Sequence, residues 1–218
     1  MRATAIVPVK RFGAAKQRLT GTEAATHRPA LVKAMLADVL LGLNESRLVD
    51  RIVVVTGEPL AIEVAAEAGA EHLDDPGDGG HSEAAGIGVA EALLRGDECV
   101  ALIAGDCPLL EGFELDRELD AQAPGVALIP DRHGSGTNGL ILTPPDAIRP
   151  AFGPGSRERH LALAREAGVR CRIATVPSMA LDLDTGEDLR QLVLALAADP
   201  ARAPATSAAL KRLGESAD

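Results

Sequence analysis

Apolar residues fall along this chain in two alternating rhythms. Short unbroken runs give way to longer stretches in which apolar positions recur every three or four residues. Thr4 to Val9 reads as a buried strand, ended by Pro8 and a basic loop. His27 to Leu43 reads as a helix, with Leu31, Met35, Val39 and Leu43 on one face. Arg51 to Thr56 is a β-branched strand closed by Gly57, Pro59 to Ala68 a helix stopped by Gly69, and Glu71 to Leu73 a short strand. Asp74 to Gly80, dense in Asp, Pro and Gly, is a loop. Glu83 to Leu94 is helical, although Gly86 and Gly88 weaken it. Cys99 to Ala104 is an apolar strand and Gly112 to Ala121 a helix. Gly125 to Ile129 and Gly139 to Leu142 are strands around a glycine-rich loop. Arg157 to Ala167 is a helix, Cys171 to Val176 a strand, and Asp188 to Ala198 a further helix.

Strands alternating with helices predict an α/β fold: a mostly parallel sheet flanked by helices. Strands that are apolar throughout, such as Val100 to Ala104, say the same, because parallel strands are covered on both faces. Ligands in such folds bind at the carboxyl ends of the strands. With no linker and no internal repeat, the reading is a single domain over residues 1–198. Residues 199–218 form an Ala/Pro-rich tail, expected to fray apart from a helical turn near Ala208 to Leu213.

Composition and charge narrow the function. Three Phe and neither Tyr nor Trp leave no base-stacking platform, and a net charge of −10 disfavours a nucleic-acid backbone as partner. The first 22 residues nevertheless hold Arg2, Lys10, Arg11, Lys16 and Arg18 and no acid. A positive island in an acidic chain suits a small anion such as a triphosphate, and it also fits a solvated basic terminus. Cys99, Cys107 and Cys171 form no paired motif, which fits a reducing compartment. The apolar start is too short for a secretion signal and no run of eighteen apolar residues occurs. A cytoplasmic chain with no membrane partner is expected, and the sequence leaves a homodimer open without deciding the oligomeric state.

Four loops at strand ends carry the candidate chemistry. Pro8 to Leu19 sets Gly13-Ala14-Ala15 between Lys10-Arg11 and Lys16/Arg18, so backbone amides and cationic tips can wrap phosphates. That loop contains neither a GxxxxGK[ST] nor a GxGxxG pattern. Asp106 follows an apolar strand, where a carboxylate serves either a hard cation such as Mg²⁺ or a turn before Pro108. Asp131 to Gly139 combines glycines with the neutral donors Ser135, Thr137 and Asn138. Asp182 and Asp184 point the same way on an extended segment, so both carboxylates can meet one cation. Helix capping competes there, through Asp184 with Glu187 or Thr185 with Asp188. Ser156 looks like an N-cap, and the helix start with Arg157, Arg159 and His160 is a further anion site.

In order, VPVKRFGAAKQRL, GDCPLL, PDRHGSGTNGL, FGPGS and LDLDTGEDL resemble the motif series of the 2-phospho-L-lactate guanylyltransferases. That family includes the bacterial phosphoenolpyruvate guanylyltransferases of coenzyme F-420 biosynthesis. The resemblance runs from about Ala5 to about Leu192. It implies a GT-A-like nucleotidyltransferase fold and transfer of GMP from GTP to the phosphate of a small phosphorylated acid. It also implies Mg²⁺ on Asp106, Asp182 and Asp184, and the acid on Thr137, Gly153 and Ser156. Lys10 and Lys16 match its triphosphate-facing loop. The family's Leu-Asn pair near the nucleotide is replaced here by Gly80-His81-Ser82-Glu83-Ala84-Ala85. A transferase using another nucleotide or acceptor, such as 3-phosphoglycerate or a sugar phosphate, and a non-catalytic nucleotide-binding regulator are the alternative readings.

Overall fold

The computed structural model describes residues 3–12, 28–77 and 79–215. Strand β1 (Ala3–Pro8) is buried along its whole length. Its alternating side chains feed two cores: Ala5 and Val7 face one, Ile6 the other. Helix α1 (Arg28–Asn44) follows, then β2 (Val49–Val55), α2 (Pro59–Glu67) and β3 (Glu71–Leu73). Next come α3 (His81–Leu94), β4 (Cys99–Ile103), α4 (Gly112–Asp120), β5 (Gly125–Pro130) and β6 (Thr137–Thr143). The chain continues with α5 (Ser156–Glu166), β7 (Cys171–Ile173), a 3-10 turn at Pro177–Met179, α6 (Gly186–Ala198) and α7 (Pro204–Glu215).

Among the described residues the strands form one sheet in the order β3-β2-β1-β4-β6-β5-β7. The pairs β1–β2, β1–β4, β2–β3 and β5–β7 are parallel. β6 runs antiparallel to both β4 and β5. The few residues between Pro130 and Thr137 are too short for a crossover helix, so β5 and β6 form a hairpin. The reversal brings the start of β6 to the carboxyl end of β4, where the Ala104 amide donates to Asn138 O at 2.9 Å. The glycine-rich loop therefore opens at the ligand-binding edge.

Side chains of α1, α2, α4, α6 and α7 share the core that receives Ala5 and Val7. Side chains of α3 and α5 cover the opposite face. Gly88 permits that cover, because a Cβ there would collide with the side chain of Ile6. Nothing lies near Gly86 to explain it in the same way.

The tail departs from the expected fraying. α7 is a full helix, and Ala203 and Ala209 are buried in the α1 face of the core. Its start is capped from another element: the Asp38 carboxylate on α1 accepts from the amides of Ala205 (3.1 Å) and Thr206 (2.7 Å). These amides would otherwise have no partner at a helix N-terminus. Two strand ends also shift, since β6 begins at Thr137 and β7 ends at Ile173.

Candidate active site

Asp106 lies in the turn after β4, half-buried, and Asp182 and Asp184 lie on the segment entering α6. One carboxylate oxygen from each converges, all within 4.8 Å of one another. Burial, and then the negative charge of Asp106, push the Asp182 carboxyl up to about 6, with Asp184 adding to the effect. Three hard oxygens held against their own repulsion match the donor set of a divalent cation such as Mg²⁺.

Asn138 holds this cluster in place. Its amide nitrogen donates to Met179 O at 2.8 Å and to Asp182 Oδ1 at 3.2 Å. A carbonyl oxygen only accepts, so the first contact fixes which end of the amide is nitrogen. The competing capping role falls to other residues. The Thr185 side chain accepts from the Asp188 amide at 3.3 Å, and Asp188 Oδ2 accepts from the Thr185 amide at 2.6 Å. This closes a capping box at α6 and leaves Asp182 and Asp184 on the cluster.

Successive side chains of β6 point to opposite faces, so Thr137 turns away from Asn138 towards α5. There the Ser156 hydroxyl donates to Thr137 Oγ1 at 3.2 Å, and His160 Nδ1 lies 3.1 Å from the same oxygen. The N-cap of α5 is Gly155, with φ 71°, and makes no side-chain cap. Ser156 is thus the first helical residue and not the expected N-cap. Gly153, with φ 105°, makes the turn before it.

The cations expected to line this helix start do other work. The Arg159 guanidinium donates to Ala151 O and Phe152 O at 3.0 and 2.9 Å, and also to Pro154 O. Arg157 reaches Gly134 O at 3.3 Å. Burial and the neighbouring Arg159 lower the His160 ring to about 4, so it is neutral and carries no charge to an anion. Ser82, in the segment that replaces the Leu-Asn pair, accepts from the Phe152 amide at 2.8 Å and ties the turn to α3.

Only the root of the basic loop is described. Lys10 is exposed, and its Nζ lies 3.6 Å from where a Gly80 Cβ would stand, at the start of α3. The Arg11 guanidinium comes equally near Gly57. Phe12 is buried and its amide donates to Glu58 Oε2 at 2.9 Å. Lys16 and Arg18 lie outside the described residues.

Residues 3–203 match the family model described as Guanylyl transferase CofC like. The phosphoenolpyruvate guanylyltransferase of Conexibacter woesei is 47% identical over 195 residues, spanning 88% of this chain and 87% of that one. That of Sphaerobacter thermophilus is 43% identical, spanning 88% and 93%. The chain belongs to the CofC-like guanylyl transferase family. Solved structures with the same fold include a nucleotide-diphospho-sugar transferase from Desulfovibrio desulfuricans (TM-score 0.75, 20% identity, 97% and 95% covered). A cytidylyltransferase from Leptospira borgpetersenii is a second (TM-score 0.62, 15% identity, 99% and 95% covered). In this CofC-like chain no helix among the described residues is long and apolar enough to cross a membrane.

Within this family framework two groups of residues are assembled at one end of the sheet: the three Asp with Asn138, and Thr137 with Ser156 and His160. His160 was legible only as a helix-start cation. Its pairing with Ser156 one turn earlier was the available signal, because residues four apart share a helix face.

Proposed function

We propose that this chain transfers GMP from GTP to the phosphate of phosphoenolpyruvate, releasing pyrophosphate, in coenzyme F-420 biosynthesis. The observation that carries this reading is the convergence of Asp106, Asp182 and Asp184 in a chain 47% identical to a phosphoenolpyruvate guanylyltransferase. The three carboxylates fit Mg²⁺, which supplies charge neutralisation between two anionic substrates and polarises a phosphoryl oxygen.

The remaining roles belong to the chain. Lys10, Arg11, Lys16 and Arg18 take the charge of the triphosphate and of the leaving pyrophosphate. Thr137, Gly153 and Ser156 hold the phosphorylated acid, and Asn138 orients Asp182. A phosphate monoester with a second pKa of about 6 is already a nucleophilic anion near neutrality, so no strong general base is needed. Its oxygen forms a bond to the α-phosphorus of GTP, and the bond from that phosphorus to the β-phosphate oxygen breaks.

A panel of nucleoside triphosphates against phosphoenolpyruvate, 2-phospho-L-lactate and 3-phosphoglycerate, scored by pyrophosphate release, tests this. GTP with phosphoenolpyruvate is expected to give the highest kcat/KM. A higher value for another nucleotide or another acid would overturn that assignment. GTP binding with no pyrophosphate release for any acid would favour a regulator.

A further inference from the structure

Behind Thr137 and Ser156 runs a chain of buried hydrogen bonds that begins on a backbone amide. The Ala151 N–H points at His160 Nε2, 2.9 Å away. A backbone amide can only donate, so Nε2 must present its lone pair, and the single proton of the neutral ring sits on Nδ1. That Nδ1–H faces Thr137 Oγ1 at 3.1 Å. The Ser156 hydroxyl reaches the same oxygen at 3.2 Å. A threonine hydroxyl has two lone pairs and one proton. With both lone pairs engaged, the Thr137 proton has nowhere to go but outward.

The exposures indicate where it emerges. His160 and Ser156 are 0% and 1% exposed, whereas Thr137 retains 8%. Of the three side chains, Thr137 is the least buried. The amide that sets the chain is itself held. Arg159 binds the carbonyls of Ala151 and Phe152, and Ser82 accepts from the Phe152 amide. The Phe152 ring also packs edge-on to His160, with centroids 5.2 Å apart.

We propose that His160 is a positioning residue for the acceptor substrate: fixed as the Nδ1–H tautomer by Ala151, it turns the Thr137 hydroxyl into an outward donor to a phosphate or carboxylate oxygen. This rests on the reading that Thr137 meets the phosphorylated acid, with the Ser156 hydroxyl behind it donating to Thr137. Such oxygens accept and do not donate, so a hydroxyl whose polarity is set in advance discriminates for them without reorganisation.

The test compares His160→Gln, His160→Asn and Thr137→Val in the full chain, with GTP, phosphoenolpyruvate and Mg²⁺. Gln can reach Ala151 with its carbonyl but has no group at the Nδ1 position, whereas the Asn amide stands near Nδ1 and can donate to Thr137. His160→Gln is expected to raise KM for phosphoenolpyruvate about ten-fold, the scale of one hydrogen bond to a charged group, and to leave KM for GTP within about two-fold. His160→Asn should recover most of that loss. Adding His160→Gln to Thr137→Val should cost nothing more, because the two act through one hydroxyl. If Thr137→Val raises the acceptor KM and His160→Gln does not, the positioning role is wrong and the acceptor site stands. If Thr137→Val itself leaves the acceptor KM unchanged, the acceptor site fails first. Nitrogen-15 NMR of the His160 ring in the unsubstituted protein at neutral pH gives a check independent of variant folding. An Nδ1-protonated ring is expected, and an Nε2-protonated ring would overturn the proposal.

Discussion

At the scale of single residues, the cluster of Asp106, Asp182 and Asp184 holds like charges together, a cost that a bound cation would relieve. Replacing Asp182 by Asn removes a charge that burial and the neighbouring Asp106 disfavour. Metal-free Asp182→Asn is expected to melt a few degrees above the metal-free parent at pH 7.5, a gain on the order of 1–2 kcal/mol after solvent screening. Mg²⁺ should raise the melting temperature of the parent and not of the variant. Equal protection of both by Mg²⁺ would remove Asp182 from the site. His160 gives a second residue-scale expectation. Its ring titrates at about 4 when folded against 6.5 ordinarily, so the unfolded chain takes up the proton first as pH falls. Stability from this residue is present above pH 6.5 and is lost as pH drops from there towards 4, by roughly 1.4 kcal/mol per unit. The loss should be absent from His160→Gln when acid unfolding of the two is compared; an identical acid profile would argue against a buried neutral ring. The three Asp were legible because extended-chain spacing and strand-end position are local facts. The work of Asn138 was not, because its partners Met179 and Asp182 lie about forty residues away.

At the scale of elements, Asp38 and α7 show a helix stabilised from outside its own sequence. Asp38→Ala leaves the Ala205 and Thr206 amides without their acceptor and should cost about 1–3 kcal/mol. Amide exchange should rise across residues 204–215 and stay unchanged in β1 and β4. Unchanged protection in α7 would show that packing alone holds it. The tail looked like a fraying Ala/Pro segment because its cap sits on α1, far off in sequence. The sheet's alternation was readable from runs of Val, Ile and Leu. The sequence reading of a mostly parallel sheet misses the antiparallel entry of β6, although the short loop before it is the local signal for it; its place between β4 and β5 has no local signal, since pairing order is a long-range choice. Gly88 read as a helix weakness and is a packing requirement against Ile6.

At the scale of the molecule, a chain of net charge −10 brings three of its carboxylates and a few neutral donors to one end of a sheet. The basic loop leaves β1, the metal-binding candidates follow β4 and precede α6, and the hydroxyls proposed for the acceptor come from β6 and α5. Among the described residues, the Asp cluster and the Thr137–Ser156–His160 group rest on different elements, and the fold brings both to one end of the sheet. The most direct test follows the α-phosphate. GTP labelled at that phosphorus is incubated with phosphoenolpyruvate, Mg²⁺ and the protein, and the products are separated. The label is expected in a product joining guanosine to the acid through a diphosphate, and in no such product with Asp106→Ala, provided its circular dichroism matches the parent's. Label that stays in GTP with the unsubstituted protein, or full transfer by Asp106→Ala, would contradict the account.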